Sequence, residues 1–253
     1  MTPLDSGRAS SSPPHFFVES LAEEAVALSP EDSRHALRSL RLRPGDHLTL
    51  ADDDGLWCRA RLTGEKGGRA VVEVVDLSSV PRPAPQIWVA MAPPKGDRLW
   101  WAVQKLGEIG VDGLHLLLTK RTVRTPDAEG ARRISQRMCA VARAAARQSR
   151  RPFVMHTGQF RHLAGALDQP GHLRVMLTGS AAAHLTAVLP AHPAFVEALT
   201  ILVGPEGGFT DGELQHAEGA GASLASLGPG VLRTETAAIV SAALVLAHVG
   251  RLG

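Results

Sequence analysis

The sequence predicts an α/β domain with a mostly parallel sheet, preceded by a smaller β domain. From residue 86 onward, apolar segments of strand length alternate with segments of helical spacing, a pattern typical of parallel α/β sheets. Residues 16–76 contain short segments separated by tight turns, which favours a small β-barrel. Residues 80–85 lie between the two and contain three prolines, so they predict a stiff linker.

The β domain is predicted from alternating side chains and turn residues. Residues 30–40 have helical spacing, with Ser29 as the N-cap, and residues 52–55 predict a hairpin turn. We expect Trp57 to belong to the core of this domain rather than to stack on a base. The predicted strands span residues 16–18, 47–50, 57–62 and 70–75.

The α/β domain is predicted from apolar runs and helical periodicity. Thr210 and Glu213 have the spacing of a capping box and therefore mark the start of a helix. We predict strands at residues 86–91, 114–119, 173–178, 199–203 and 223–227. We predict the other helices at residues 97–110, 128–149 and 234–249.

The composition is that of an ordinary globular protein. Of the 253 residues, 44% are hydrophobic and 21% charged, and the net charge is only +2. Cys58 and Cys139 are too far apart for a disulfide framework or a zinc motif, and the eleven histidines show no metal-binding spacing. We therefore expect no metal site.

Neither a membrane span nor a signal peptide is expected. No apolar stretch reaches the roughly 18 residues that a membrane helix needs. Residues 1–14 are rich in serine and proline without an apolar core, so they predict a disordered tail. These features favour a cytoplasmic protein.

The predicted helix at residues 128–149 has a strongly basic face. Seven arginines in and just after it fall within an arc of roughly 140°. A solvated face usually mixes both signs of charge, so this face favours an anionic partner such as nucleic-acid phosphate. Lys120, Arg121 and Arg124 extend the same basic region. The seven residues are Arg132, Arg133, Arg137, Arg143, Arg147, Arg150 and Arg151.

A glycine-rich loop at residues 202–209 follows a buried strand and precedes the capped helix. Its glycines allow close approach of the backbone to a ligand, and ligands bind at the carboxyl ends of strands in such sheets. The loop matches neither the Walker A nor the GxGxxG pattern, so a nucleotide-phosphate site is not expected. A tight structural turn would explain the glycines but not Glu206 between them.

A second such loop spans residues 227–236. It also follows a short strand and precedes a helix, for which Thr234 is the predicted N-cap. Arg233 and Glu235 lie beside the helix N-terminus, where ligand carboxylates are favoured. The two loops, each at the end of a strand, could together hold one small molecule.

The two loops resemble those of the ribosomal RNA small subunit methyltransferase E family, the 16S rRNA uracil-N3 methyltransferases. GPEGG at residues 204–208 followed by LGPGVLRTETA at 227–237 is a highly specific combination. The segments at 38–46, 94–98, 105–110 and 145–151 also resemble family motifs, so the resemblance covers nearly the whole chain from His15 on. Three features depart from the family pattern: Arg147 replaces a usual Glu, and Gly230 replaces a usual Arg. The third is at residues 14–15, where Pro and His precede Phe16 and an Arg is common in the family.

The resemblance implies a fold and an activity. It implies a PUA-like β-barrel that binds RNA at residues 15–80 and a trefoil-knotted SPOUT methyltransferase domain at 86–253. It also implies a homodimer that uses S-adenosyl-L-methionine to methylate N3 of a uridine in 16S rRNA, either free or in the 30S subunit. The alternatives are a SPOUT enzyme acting on another RNA, such as tRNA, and a non-catalytic RNA-binding protein of the same fold. A plain α/β ligand-binding protein is a third alternative, which the one-sided arginine helix disfavours.

The resemblance also implies roles for residues. Arg233 would stabilise negative charge on the uracil carbonyls, and Glu206 or Glu235 would accept the N3 proton. Stabilisation of the first helical turn explains Glu235 equally well. The implied cofactor-binding residues are Leu177, Thr178, Gly204, Pro205, Glu206, Gly207, Leu227, Gly228, Pro229, Leu232 and Arg233. The expected RNA-binding residues are Arg38, Arg41, Lys95, Arg98, Arg121, Arg143, Arg147, Arg150 and Arg151.

Overall fold

The structure, a computed structural model, describes residues 13–122, 125–168, 171–192 and 196–252. The expected disordered tail therefore lies almost wholly outside the described residues, as does Arg124. Internal contacts divide the chain into two units, with the division between Pro81 and Arg82. Among the described residues, no helix is both long and apolar enough to cross a bilayer.

The first unit is built on a five-stranded sheet in which β1 is parallel to β3 and the other neighbours are antiparallel. The strand order is β1-β3-β4-β5-β2. Its core includes Phe16, Leu50 and Leu62, whereas Trp57 is half-buried and lies outside that cluster, so the expectation of a core position is wrong. The strands are β1 (His15–Phe17), β2 (Ala25–Ala27), β3 (His47–Ala51), β4 (Leu56–Lys66) and β5 (Arg69–Ser79).

The helical segment of this unit differs from the single helix predicted at residues 30–40. Helix α1 (Pro30–Arg34) is followed by a π-helical turn at His35–Ser39. Ser29 is the N-cap, as predicted, since its hydroxyl accepts a hydrogen bond from the Asp32 N–H at 3.0 Å. The hairpin turn at residues 52–55 is also present.

The second unit contains a six-stranded sheet in which every pair of neighbours is parallel. The strand order is β11-β9-β10-β6-β7-β8. This confirms the predicted α/β class with a parallel sheet. The strands are β6 (Gln86–Met91), β7 (Gly113–Leu118), β8 (His156–His162), β9 (His172–Leu177), β10 (Ala198–Val203) and β11 (Ser223–Ala225).

Helices cover both faces of this sheet, because alternate residues of its strands enter different cores. Ile201 joins the core formed with α2, α3, α5 and α7, whereas its neighbour Leu202 joins the core formed with α4 and α6. The helices are α2 (Arg98–Ile109), α3 (Ala128–Ser149), α4 (Leu163–Leu167), α5 (Leu185–Val188), α6 (Asp211–Gly219) and α7 (Thr234–His248).

A ring cluster lies on the sheet around Trp88 of β6. The ring of His115 stacks on Trp88 with centroids 5.1 Å apart and an interplanar angle of 15°. Gly158 permits this arrangement, because a Cβ there would lie 1.8 Å from Nδ1 of His115. Burial lowers the pKa of His115 to about 4, and the nearby charge of Arg161 contributes.

Candidate active site

The two glycine-rich loops meet at the carboxyl edge of the parallel sheet. Val203, the last residue of β10, is in register with Met91 of β6 and Leu177 of β9, so these strands end at the same level. A hydrogen bond joins the loops directly, since the Thr234 hydroxyl donates to the Gly204 carbonyl at 3.0 Å. The edge is therefore the crevice in which open α/β sheets bind ligands.

Thr234 is not the N-cap of α7, so that prediction is wrong. The helix begins at Thr234, and Arg233 is the N-cap, without a capping hydrogen bond from its side chain. The Thr234 hydroxyl bonds the Gly204 carbonyl instead, which buries the threonine between the loops. Its role is to join the two loops rather than to cap the helix.

A cavity of about 390 Å³ lies between the loops. Ten of the eleven expected cofactor-binding residues line it, and Arg233 is the exception. Arg233 is exposed beside the cavity, between the lining residues Leu232 and Thr234. The lining residues outside the expected set are Gly179, Val203, Gly208, Gly230, Val231, Thr234 and Ala237.

A Cβ would be strained or tightly packed at two points of these loops. Gly228 has φ +115°, in the region that side chains with a Cβ rarely adopt. At Gly204 a Cβ would lie 3.0 Å from the Phe209 ring. The glycines thus let the backbone itself form the cavity wall.

The first loop is tied to the end of β7. The Arg121 guanidinium donates hydrogen bonds to the carbonyls of Gly207 and Phe209, the latter at 3.3 Å. Glu213, in the predicted capping box, accepts a hydrogen bond from the Lys120 N–H at 2.8 Å. Burial tends to raise the pKa of Glu213, but its bonds from the Thr210 and Lys120 N–H groups outweigh burial and lower it.

Arg98 lies between one carboxylate from each loop. Its Nη1 is 3.8 Å from Oε1 of Glu206, and its Nε is 3.8 Å from Oε1 of Glu235. The Glu235 carboxylate is almost fully buried, and its Oε2 has no hydrogen-bond partner among the described residues. Glu206 is about half exposed. One cation thus faces both carboxylates that were expected to take part in proton transfer.

A second cavity, of about 490 Å³, adjoins the first and shares Pro205 and Glu206 with it. It is lined further by residues 92–96 and Thr122, which follow β6 and β7. Sequence reasoning missed this cavity. The signal was present, because the Pro-Pro-Lys-Gly segment at residues 93–96 is another strand-end loop.

The expected RNA-binding residues differ in their exposure to solvent. Arg143 and Arg150 on or just after α3 are exposed, Arg147 is partly exposed, and Arg38, Arg41 and Lys95 are exposed. Arg151 is half-buried, with its guanidinium packed where a Cβ of Gly110 would lie. Burial and the neighbouring charge of Arg251 lower the pKa of Arg151.

Comparisons with known proteins agree with this geometry. The RNA methyltransferase domain family matches residues 81–246, and the RNA methyltransferase PUA domain family matches residues 28–75. The fold and the site thus define an RNA methyltransferase with a SPOUT-type domain and a PUA-like domain.

Individual relatives narrow this class. Ribosomal RNA small subunit methyltransferase E of Mycobacterium bovis is 34% identical over 241 residues, covering 89% of this chain and 88% of the relative. The Bacillus subtilis protein of the same name is 27% identical over 236 residues, covering 88% of this chain and 91% of the relative. A crystal structure of the Neisseria gonorrhoeae protein of that name, bound to S-adenosyl methionine, has a TM-score of 0.82 and 28% identity, covering 93% and 98% of the two chains. The chain belongs to the ribosomal RNA small subunit methyltransferase E family, as its loops indicated.

Proposed function

We propose that this protein transfers a methyl group from S-adenosylmethionine to N3 of a uridine in 16S rRNA. The observation that carries the proposal is the meeting of two glycine-rich loops around one cavity, with Arg98 between their carboxylates. The names of the relatives support small-subunit rRNA as the substrate, and the Neisseria structure supports the cofactor.

The residues of the 390 Å³ cavity fit the proposed cofactor. The volume lies within the range of roughly 300–1,000 Å³ that is usual for small-molecule sites. Leu177, Leu227 and Leu232 supply apolar wall for an adenine ring, and the loop backbone supplies polar groups for the ribose and amino-acid part. The cofactor, when bound, supplies a methyl group on a positively charged sulfur.

Proton removal from uracil N3 is assigned to Glu206. Its carboxylate is half exposed and lines both cavities, so it can contact a substrate that lies beside the cofactor. Glu235 is buried against Arg98 and positions that guanidinium. Arg233 is exposed beside the cavity, where it can stabilise negative charge on the uracil carbonyls as the proton leaves.

The arginine face of α3 is proposed to bind rRNA phosphates. Arg143 and Arg150 are exposed and Arg147 is partly exposed on or just after the helix, while Met138 and Ala142 pack in the core. Arg38 and Arg41 add exposed cations in the PUA-like unit. Phosphate contacts of this kind fix the position of the RNA and carry no sequence information.

A homodimer is part of the proposal. Val231 of the second loop is 97% exposed, and Val240 and Leu244 of α7 are also exposed. Apolar side chains grouped on one helix and its preceding loop are typical of a protein–protein interface. Sedimentation of the purified protein should give twice the mass of the chain.

The proposal is tested by methyl transfer from radiolabelled S-adenosylmethionine to 30S subunits that lack their native modifications. Label in 16S rRNA supports the proposal. Label in tRNA but not in 16S rRNA would show that tRNA, rather than 16S rRNA, is the substrate. Cofactor binding without transfer to either RNA would also exclude 16S rRNA, and the absence of cofactor binding would favour a non-catalytic RNA-binding protein.

A further inference from the structure

The 490 Å³ cavity is separate from the cofactor cavity but opens at the same edge of the sheet. The loop at residues 92–96 follows β6, Thr122 follows β7, and Pro205 and Glu206 follow β10. A hydrogen bond from the Ala92 N–H to the Val203 carbonyl, at 2.9 Å, holds two of these strand ends together. Molecules in the two cavities would meet at Pro205 and Glu206.

The walls of this cavity suit a flat ring whose polar groups lie on its edge. Pro93, Pro94 and Pro205 have no backbone N–H, so they offer no donors to the face of a ligand. Lys95 and Glu206 are the charged lining residues, one a donor and the other an acceptor. The cavity volume is ample for a nucleotide base turned out of an RNA strand.

We propose that this cavity receives the target uracil, and that Lys95 and Glu206 recognise its Watson–Crick edge. Lys95 donates a hydrogen bond to a ring carbonyl, and Glu206 accepts the hydrogen bond from N3–H. The inference rests on the proposed function and adds the place where the acceptor base binds. Cytosine fits this pair poorly, because its N3 is an acceptor that would face the Glu206 carboxylate.

The proposed methyl transfer at this site needs only the methyl donor, the uracil and the Glu206 carboxylate. N3 forms a bond to the methyl carbon as the carbon–sulfur bond of the donor breaks and its electron pair remains on sulfur. The N3 proton passes to the Glu206 carboxylate, so the products are 3-methyluridine, a neutral thioether and a protonated carboxyl. Arg98, 3.8 Å from Glu206, holds this carboxylate at the boundary of the two cavities.

Kinetics of three full-length variants on unmethylated 30S subunits test the role of Lys95. Lys95→Met should lower kcat/KM by about 10- to 100-fold, the loss of a charged hydrogen bond, and Lys95→Arg should restore part of it. Calorimetric affinity for S-adenosylmethionine should stay within about twofold of wild type, because Lys95 does not line the cofactor cavity. Lys105→Met is the matched control, since Lys105 pairs with Glu108 at 2.7 Å and lines neither cavity.

The kinetic outcomes separate this inference from the proposed function. Wild-type kcat/KM in Lys95→Met, with the wild-type protein methylating uridine, overturns the uracil site alone. A wild-type protein that methylates no uridine overturns the proposed function itself.

Photocrosslinking provides a readout that does not depend on activity. The Glu206→Gln protein would be irradiated with 30S subunits reconstituted on 16S transcripts that carry sparse 4-thiouridine. Peptide mapping should place a crosslink within residues 92–96 or at Thr122. Crosslinks confined to α3 or the PUA-like unit, with none in these residues, would overturn the inference.

Discussion

The Arg98 guanidinium lies 3.8 Å from the carboxylate of Glu235, which is almost fully buried at the start of α7. Arg98 belongs to α2 and Glu235 to the helix that follows the second loop, so this ion pair joins two distant segments of the chain. The same guanidinium is 3.8 Å from Glu206 of the first loop. The Arg98 guanidinium therefore lies near one carboxylate from each loop.

Loss of Arg98 should reduce both stability and activity. Arg98→Met leaves the buried Glu235 carboxylate without its cation, so we expect the free energy of unfolding to fall by about 1–3 kcal/mol. The double variant Arg98→Met/Glu235→Gln should recover most of this stability, because the buried charge is gone, while activity stays low. Urea denaturation and methyl transfer measure the two effects. Equal stability of the single and double variants would contradict the ion pair.

Arg233→Ala should keep the fold and lose turnover. Arg233 is exposed and makes no side-chain capping bond to α7, so its removal should change the melting temperature little. We expect kcat to fall about 10²- to 10³-fold, as for loss of a group that stabilises developing charge. S-adenosylmethionine affinity should not change. Turnover equal to wild type would remove Arg233 from the mechanism.

The arginine face should govern the salt dependence of RNA binding. Arg143→Glu/Arg150→Glu should weaken binding to 16S rRNA and flatten the dependence of log K on log salt. Arg151→Met is a useful comparison, because half-burial against Gly110 favours a packing role for that arginine. Arg151→Met should lower the free energy of unfolding and leave the slope of log K against log salt close to the wild-type value. Unchanged affinity of the double variant at low salt would exclude the phosphate contacts.

Two glycines of the second loop should respond differently to the same change. Gly228 has φ +115°, so Gly228→Ala strains the loop by about 1–3 kcal/mol, and affinity for S-adenosylmethionine should fall about tenfold. Gly230 does not have this backbone conformation, and no atom lies within 4 Å of a Cβ added there. Gly230→Ala should therefore bind S-adenosylmethionine with wild-type affinity in calorimetry. Equal affinities for the two variants would show that the conformation of the loop does not matter.

Stability should fall below neutral pH because of His115. Its pKa is lowered from 6.5 to about 4 in the folded protein, so its contribution is complete above pH 6.5 and declines as pH falls toward 4. The decline is at most about 1.4 kcal/mol per pH unit. His115→Phe keeps a ring against Trp88 and should be less sensitive to pH in urea denaturation between pH 7 and 5. An identical pH dependence of stability in wild type and variant would contradict a contribution from His115.

Periodicity and loop composition predicted much of this structure. The strands around the site are apolar runs, and the helix at residues 128–149 begins and ends as expected. Strand β8 was missed because its sequence, HTGQFRH, lacks an apolar run and alternates weakly at the edge of the sheet. Gly158, within this strand, is explained by the ring of His115, which occupies the space that a Cβ there would need.

The site was predicted less completely than the fold. The loops at residues 204–208 and 227–237 indicated the 390 Å³ cavity proposed for the cofactor, because glycines at strand ends are visible in sequence. The position of Arg98 between Glu206 and Glu235 depends on how three distant segments pack, which no local pattern contains. The neighbouring cavity was missed although the strand-end loop at residues 93–96 is visible in the sequence.

The central claim is methylation of uridine N3 in 16S rRNA. The most direct measurement is mass-spectrometric mapping of 16S rRNA from 30S subunits incubated with the wild-type protein and S-adenosylmethionine, with the modified nucleoside identified against standards. The account predicts 3-methyluridine at one position, absent when Glu206→Gln replaces the wild-type protein. A methyl group on the ribose, on C5 of uridine or on another base would contradict it.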